Sequence, residues 1–272
     1  MNNFVKRSIT GLIIVLLTVA STLIGKELFL IFFLIILVLG LIEFYALIRI
    51  HRIHPHAFLC IITGIIAFIA NYLFAQKLVD EKIFVPIIPL LVSIFIFELF
   101  RKHKYPFSNI SYSIFGIIYV ALPICLINYL AFNSFNNHYY NFEIVLGFFI
   151  LTWTFDTFAY LVGIIAGKRP IIYKISPKKT WEGLAGGTAA AFLTSYLLSR
   201  FFETISLNNW LVITALIIFA GTFGDMSESL FKRSLGVKES GRLLPGHGGI
   251  LDRYDGVLFS IPAVFTYLQI IT

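Results

Sequence analysis

The sequence predicts an all-α, polytopic membrane protein with about nine transmembrane helices and a cytoplasmic N-terminus, and three observations carry that prediction. Hydrophobic residues fill 58% of the 272 positions and charged residues 13%, whereas soluble domains carry about 25% charged residues. Apolar runs long enough to cross about 30 Å of hydrocarbon recur from end to end, and in lipid only a helix satisfies the backbone of a single segment. The basic residues segregate: 17 of 21 fall in the N-terminus and alternate loops, as expected where cytoplasmic loops retain Lys and Arg.

Taken in order, the spans read 8–25, 27–48, 57–75, 83–100, 109–132, 144–166, 183–202, 208–224 and 256–271. The first two are separated by almost nothing, which predicts a tight helical hairpin. Lys6 and Arg7 ahead of the first run resemble the start of a signal peptide, but eight further spans and the lack of a small-residue cleavage site argue against one. Only Lys26, Lys77, Lys82 and Arg200 fall on the minor side of the charge split. A wrong helix count would have scrambled that split. The net charge of +7 therefore lies on one face, where it attracts anionic headgroups and nucleotides. No aromatic-rich basic module points to nucleic acid. Cys60 and Cys125 lie inside spans without CxxC spacing and read as packing residues.

The chain changes character near residue 143. Residues 1–142 read as N-terminal transmembrane helices, a lipid-facing scaffold. Residues 143–272 read as a catalytic transmembrane region with two basic cytoplasmic loops, 167–182 and 225–255. Glu43 and Glu98 lie near span ends and read as structural, and loop 49–56, with His51, His54 and His56, reads as an interfacial loop. Large apolar faces suggest a homodimer.

Polar chemistry concentrates in the second region. In Asp225-Met-Ser-Glu-Ser-Leu-Phe-Lys-Arg233, a helix leaving the eighth span puts Asp225, Glu228, Ser229 and Lys232 on one face. A solvated face of an interfacial helix fits that spacing equally well. Leu244-Pro-Gly-His-Gly-Gly249 turns sharply and can present backbone N–H groups to an anion. Asp252 and Asp255 follow on a shared face at the start of the ninth span. Two aspartates beside a Gly-rich turn suit a hard cation such as Mg²⁺, which shares oxygen ligands with phosphates, and Arg253 can grip phosphate. There is no P-loop, and the lone His247 makes no zinc site. In the other loop, Ser176-Pro177 breaks helix and Lys178, Lys179 and Thr180 stand ahead of a helix N-terminus, an anion site. Gly183-Leu-Ala-Gly-Gly187 fits close helix packing better than phosphate binding. Asp156, deep in the sixth span and on one face with Thr152 and Tyr160, should face the bundle interior, because an ionisable group there is costly.

Together Ser229-Leu-Phe-Lys-Arg233, Lys238 and Leu244-Pro-Gly-His-Gly-Gly-Ile-Leu-Asp-Arg-Tyr-Asp255 resemble the signature of phosphatidate cytidylyltransferases, or CDP-diacylglycerol synthases. Asp156-Thr-Phe-Ala-Tyr160 and Ser176-Pro-Lys-Lys-Thr-Trp-Glu-Gly183 are similar to further motifs of that family, so the likeness covers roughly residues 150–260. One departure is visible. The family has Lys-Asp where this chain has Lys238-Glu239, and Glu239 is given no metal role. The resemblance implies transfer of the cytidylyl group of CTP to phosphatidate, with Mg²⁺ required and room for a monovalent cation such as K⁺, in the cell membrane with the active site facing the cytoplasm. It implies Asp225, Asp252 and Asp255 at the metal and Asp225, Asp252, Lys232 and Arg233 as catalytic residues. Lys178, Lys179, Ser229, His247, Gly248, Gly249, Arg253 and Asp156 would then hold substrate. A CTP-dependent polyprenol kinase and an ether-lipid cytidylyltransferase are the neighbouring alternatives. An ion-coupled transporter built around Asp156 fits less well, since it predicts polar residues through both halves.

Overall fold

The computed structural model describes residues 3–173, 176–241 and 248–271. It is an all-α bundle with one small hairpin. In chain order its elements are α1 (Asn3–Ile24), α2 (Lys26–Arg49), α3 (Ala57–Ala75), α4 (Ile87–Leu99), α5 (Pro106–Gly116), α6 (Leu122–Leu126), α7 (Asn128–Ala131), α8 (Glu143–Ala166), β1 (Pro170–Ile172), β2 (Ser176–Thr180), α9 (Trp181–Phe201), α10 (Leu207–Ser234) and α11 (Leu251–Ile271). The expected hairpin between the first two spans turns on one residue, Gly25, at φ +153°, a conformation L side chains rarely adopt.

Among the described residues seven helical segments are long and apolar enough to cross a membrane, and the chain is a multi-pass membrane protein. Two of the nine expected spans fall short of that count. In α1 the apolar stretch among the described residues is Thr10–Ile24, shorter than that count requires. In α9, glycines replace apolar bulk because the helix lies backbone-to-backbone on α8. A Cβ on Gly187 would stand 2.7 Å from the Phe155 carbonyl oxygen, and one on Gly183 2.6 Å from that of Ala159. The packing role expected of these glycines is thus what the structure has. The fifth span is not one helix either, since a π-helical turn at Ile117–Ala121 separates α5 from α6. Pro123 accounts for it: its ring clashes with the carbonyl four residues back, at Tyr119, and widening the turn relieves that clash.

One core runs through both halves of the chain. Phe29, Phe33, Leu37, Leu41 and Phe44 of α2 pack in it with Ile144 and Phe148 of α8 and Leu258, Ile261 and Val264 of α11. Side chains such as Leu99, Phe100 and Ile165 remain more than 80% exposed, which suits surfaces solvated by lipid tails rather than water. Bonds between distant loops mark two opposite ends. At one, Tyr140 Oη donates to the Thr22 carbonyl at 2.6 Å and Thr204 N to Glu143 at 2.9 Å. At the other, His51 Nε2 meets the Leu235 carbonyl at 3.0 Å. The second end is the one carrying most of the basic loops, and the polar site lies there.

Candidate active site

The eighth span continues past the apolar run as one helix, so α10 carries Asp225 to Ser234 without a break. It crosses α11 at glycines: a Cβ on Gly224 would stand 2.8 Å from the Asp255 carbonyl oxygen, and one on Gly256 3.2 Å from that of Gly221. Such close backbones place the neighbouring Asp225 and Asp255 across the crossing from one another, within electrostatic reach. Asp255 Oδ1 also accepts the Gly256 amide at 2.7 Å.

Loop 167–182, read from sequence as irregular, contains an antiparallel hairpin that pairs Pro170 with Thr180 and Ile172 with Ser176. Its base is pinned by the start of α9. Thr180 caps that helix, its hydroxyl accepting from Gly183 N at 3.2 Å, as Ser and Thr at helix starts commonly do. The Glu182 carboxylate accepts the amides of Lys168 at 3.1 Å and Arg169 at 3.2 Å. Those backbone donors, Lys168 first, favour the charged form and hold Glu182 below the usual glutamate range. The outer strand carries Lys178 and Lys179, and the Lys179 ammonium pairs with the Asp225 carboxylate, which fastens the hairpin to α10.

Asp252, in the first turn of α11, is a hub. Its Oδ1 takes the Lys232 ammonium at 2.5 Å. Its Oδ2 takes the amides of Ser240 and Gly249, each at 2.9 Å. Lys232 also pairs with Glu228, which is 2% exposed in its side chain. Beside this hub lies a cavity of about 920 Å³ lined by Asp156, Lys178, Lys179, Asp225, Asp252, Arg253 and Asp255, with Ile14 of α1 and Phe149, Trp153 and Ile164 of α8 on its apolar side. Its size suits a ligand site. Lysines, an arginine and aspartates in one such space can gather polyanions, and the apolar wall can take a hydrocarbon chain.

A family model described as the cytidylyltransferase family matches residues 5–271. The chain belongs to the cytidylyltransferase family. Among its relatives are proteins named phosphatidate cytidylyltransferase from Staphylococcus haemolyticus, 37% identical over 168 residues, and from Rickettsia bellii, 34% identical over 166. The matched segment covers 61% of this chain and 62% of the Staphylococcus haemolyticus relative, and 58% of this chain and 69% of the Rickettsia bellii relative. A relative of the same name from Staphylococcus aureus is 35% identical, with 61% and 62% covered. The chain thus spans under two thirds of the staphylococcal relatives it matches.

In this member of the cytidylyltransferase family the cavity gathers Asp156, Thr152 and Tyr160 from α8, both lysines of the hairpin, and Asp225, Asp252, Arg253 and Asp255. Other candidates stand elsewhere. Lys232, a catalytic candidate, has its ammonium between Glu228 and Asp252 and does not line the cavity. Arg233 is exposed and does not line the cavity, and Ser229 Oγ stands 3.5 Å from Asp225 Oδ1. Gly248 is at φ +85° with no room for a Cβ, which would lie 2.5 Å from Asp252 Oδ2. The Gly249 amide, expected to face an anion, is taken by Asp252. His247 lies outside the described residues.

The metal set is more open than expected. Among the described residues no group of three or more His, Cys, Asp and Glu side chains converges closely enough to hold an ion. Asp225 and Asp255 face the cavity from two helices, whereas Asp252 is satisfied by three protein donors. Two carboxylates with phosphate oxygens completing the shell is an ordinary way to hold Mg²⁺, so the donor set fits that ion once substrate is present. Glu43, read from sequence as structural, is tied to this end of the bundle by a link the sequence reading did not draw: its carboxylate takes the Ser240 hydroxyl and, at 2.7 Å, the Ile250 amide. Its signal was legible: a carboxylate in an apolar helix is costly and needs partners.

Proposed function

We propose that this chain transfers the cytidylyl group of CTP to phosphatidate, giving CDP-diacylglycerol and pyrophosphate. The observation that carries the proposal is the Lys179–Asp225 pair at a cavity with a cationic wall and an apolar one, a place where a soluble polyanion and a lipid phosphate can meet. The names of the relatives support the two substrates.

The chemistry asks little of a general base, because the nucleophile is already an anion. A phosphate oxygen of the lipid forms a bond to the α-phosphorus of CTP while the bond from that phosphorus to the bridging oxygen breaks, and pyrophosphate leaves with the electron pair. Two polyanions must be brought together and the spreading charge stabilised. Lys178, Lys179 and Arg253 face the cavity for that purpose. Asp156, on the same cavity, orients these cations. Lys232, held by Glu228 and Asp252, keeps Asp252 in register rather than gripping phosphate. Asp225 and Asp255 would hold Mg²⁺, with a monovalent cation beside it, and the bound ion would neutralise phosphate charge. The basic loops support a cytoplasmic position for this end of the bundle, in the cell membrane. A homodimer through the apolar faces leaves the assignment unchanged, since every residue named comes from one chain.

The test is purified protein in micelles containing phosphatidate, supplied with CTP and Mg²⁺. Pyrophosphate and CDP-diacylglycerol should appear in equal amounts, cease with a chelator and return with added Mg²⁺. Release of CDP with a polyprenol, or no lipid-dependent pyrophosphate, would overturn the proposal.

A further inference from the structure

We infer that Glu43, on α2 and outside the cavity, is a positioning residue that sets the loop between α10 and α11 by closing its neck. Glu43 is 3% exposed, and its two oxygens receive one donor from each end of that loop. Oε1 takes the Ser240 hydroxyl and Oε2 the Ile250 amide, at 2.7 Å. Asp252 receives the complementary pair, the amides of Ser240 and Gly249. Ser240 therefore bridges two carboxylates, donating its N–H to the one in the cavity wall and its O–H to the one behind it. On the opposite strand, Gly249 and Ile250 divide their amides between the same two. Four donors on two carboxylates make a closed ring at the neck.

The packing around Glu43 leaves the ring no slack. A Cβ on Gly241 would stand 2.8 Å from Glu43 Cδ, and one on Gly249 would overlap both the Glu43 carboxylate and the Ser240 hydroxyl. A carboxylate this deeply buried is tolerated only when its oxygens are satisfied, so the loop and Glu43 hold each other in place. Glu43 does not line the cavity and so acts on the chemistry through Ser240, Asp252 and the start of α11. Sequence separation hides the connection, because partners 197 and 207 residues apart meet only where α2 passes behind the loop.

The inference rests on the proposed activity for its kinetic readout alone, so the test has two arms. In the full-length protein in micelles, hydrogen exchange is followed at the amides of Ser240, Gly249 and Ile250 in wild type, Glu43→Gln, Ser240→Ala and the double variant. Glu43→Gln should speed exchange at Ile250 and Ser240 by about tenfold or more, the loss of one charge-assisted bond, while α8 and α3 stay protected. In the kinetic arm, Glu43→Gln and Ser240→Ala should each lower kcat by roughly tenfold to a hundredfold with KM for CTP nearly unchanged. The double variant should be no worse than the poorer single, because both remove the same link. Unchanged exchange at the neck in Glu43→Gln overturns the inference. So does an additive double variant, or a loss confined to KM. A wild-type protein without transferase activity would sink the proposed function only, and the exchange arm would still decide this one. If Glu43→Gln fails to fold, Ser240→Ala, which removes a single hydroxyl, decides by the same two readouts.

Discussion

Asp252→Asn gives the sharpest test of the site. The side chain of Asp252 is 8% exposed and that of Lys232 13%, so solvent screens their attraction weakly. Asp252 accepts from three donors: Lys232 on Oδ1, Ser240 and Gly249 on Oδ2. Asparagine keeps one acceptor. With its oxygen turned to the two amides, its NH2 faces the ammonium; turned the other way, the NH2 faces two N–H groups. Either way at least one charge-assisted bond, worth about 1.5–3 kcal/mol, disappears and a donor–donor contact appears. Glu228 still holds Lys232, which keeps the total below the full cost of breaking a buried pair, giving roughly 2–4 kcal/mol. If the displaced loop is incompetent, turnover falls by roughly 30- to 1,000-fold at about 1.36 kcal/mol per decade. Initial-rate pyrophosphate release, with a detergent melt to confirm folding, reads this directly. Turnover within about threefold of wild type would refute the hub.

Three further outcomes follow from individual contacts. Lys179→Ala removes an ion pair whose partners are about one third exposed; thermal stability should move by less than about 1 kcal/mol, while kcat/KM for CTP should fall by about tenfold or more. Gly187→Leu drives a side chain into Phe155 and Ala159, and overpacking of about 1–3 kcal/mol should appear as faster thermal inactivation in detergent. The Glu182 carboxylate is held below its usual range by the Lys168 and Arg169 amides, so its hold on the hairpin is complete above the ordinary glutamate value and is lost as pH falls through the lower folded value. Exchange at those amides, corrected for intrinsic rates, should therefore rise only in acid, and Glu182→Gln should abolish that dependence.

The site was partly legible in the chain. Helical spacing put Asp225, Glu228, Ser229 and Lys232 on one stripe, and that stripe exists on α10, but spacing does not reveal which member is neutralised. The resemblance placed Lys232 among the catalytic residues; the two acids around it, one from its own helix and one from α11, take its ammonium. Gly183 and Gly187 were readable as packing residues because small residues in an apolar helix have little other use. The hairpin at 170–180 was not readable, since Pro170 and Ser176-Pro177 look like loop and its strands are only three and five residues long.

By itself the sequence determined a helical membrane protein with one basic end, a tight hairpin between its first two spans and carboxylates grouped along α10 and α11. These follow from interactions within a few residues, namely hydrophobic runs, helical periodicity and the cost of leaving a backbone unpaired in lipid. Only the tertiary structure decided that Lys179 closes on Asp225, that Asp252 is a hub rather than a bare ligand, and that Glu43 from the apolar half reaches the loop after α10. Each of those depends on how near two helices or strands approach. That distance is set by glycine-lined crossings such as Gly224 against Asp255, where packing across the whole bundle, not local pattern, chooses the partner.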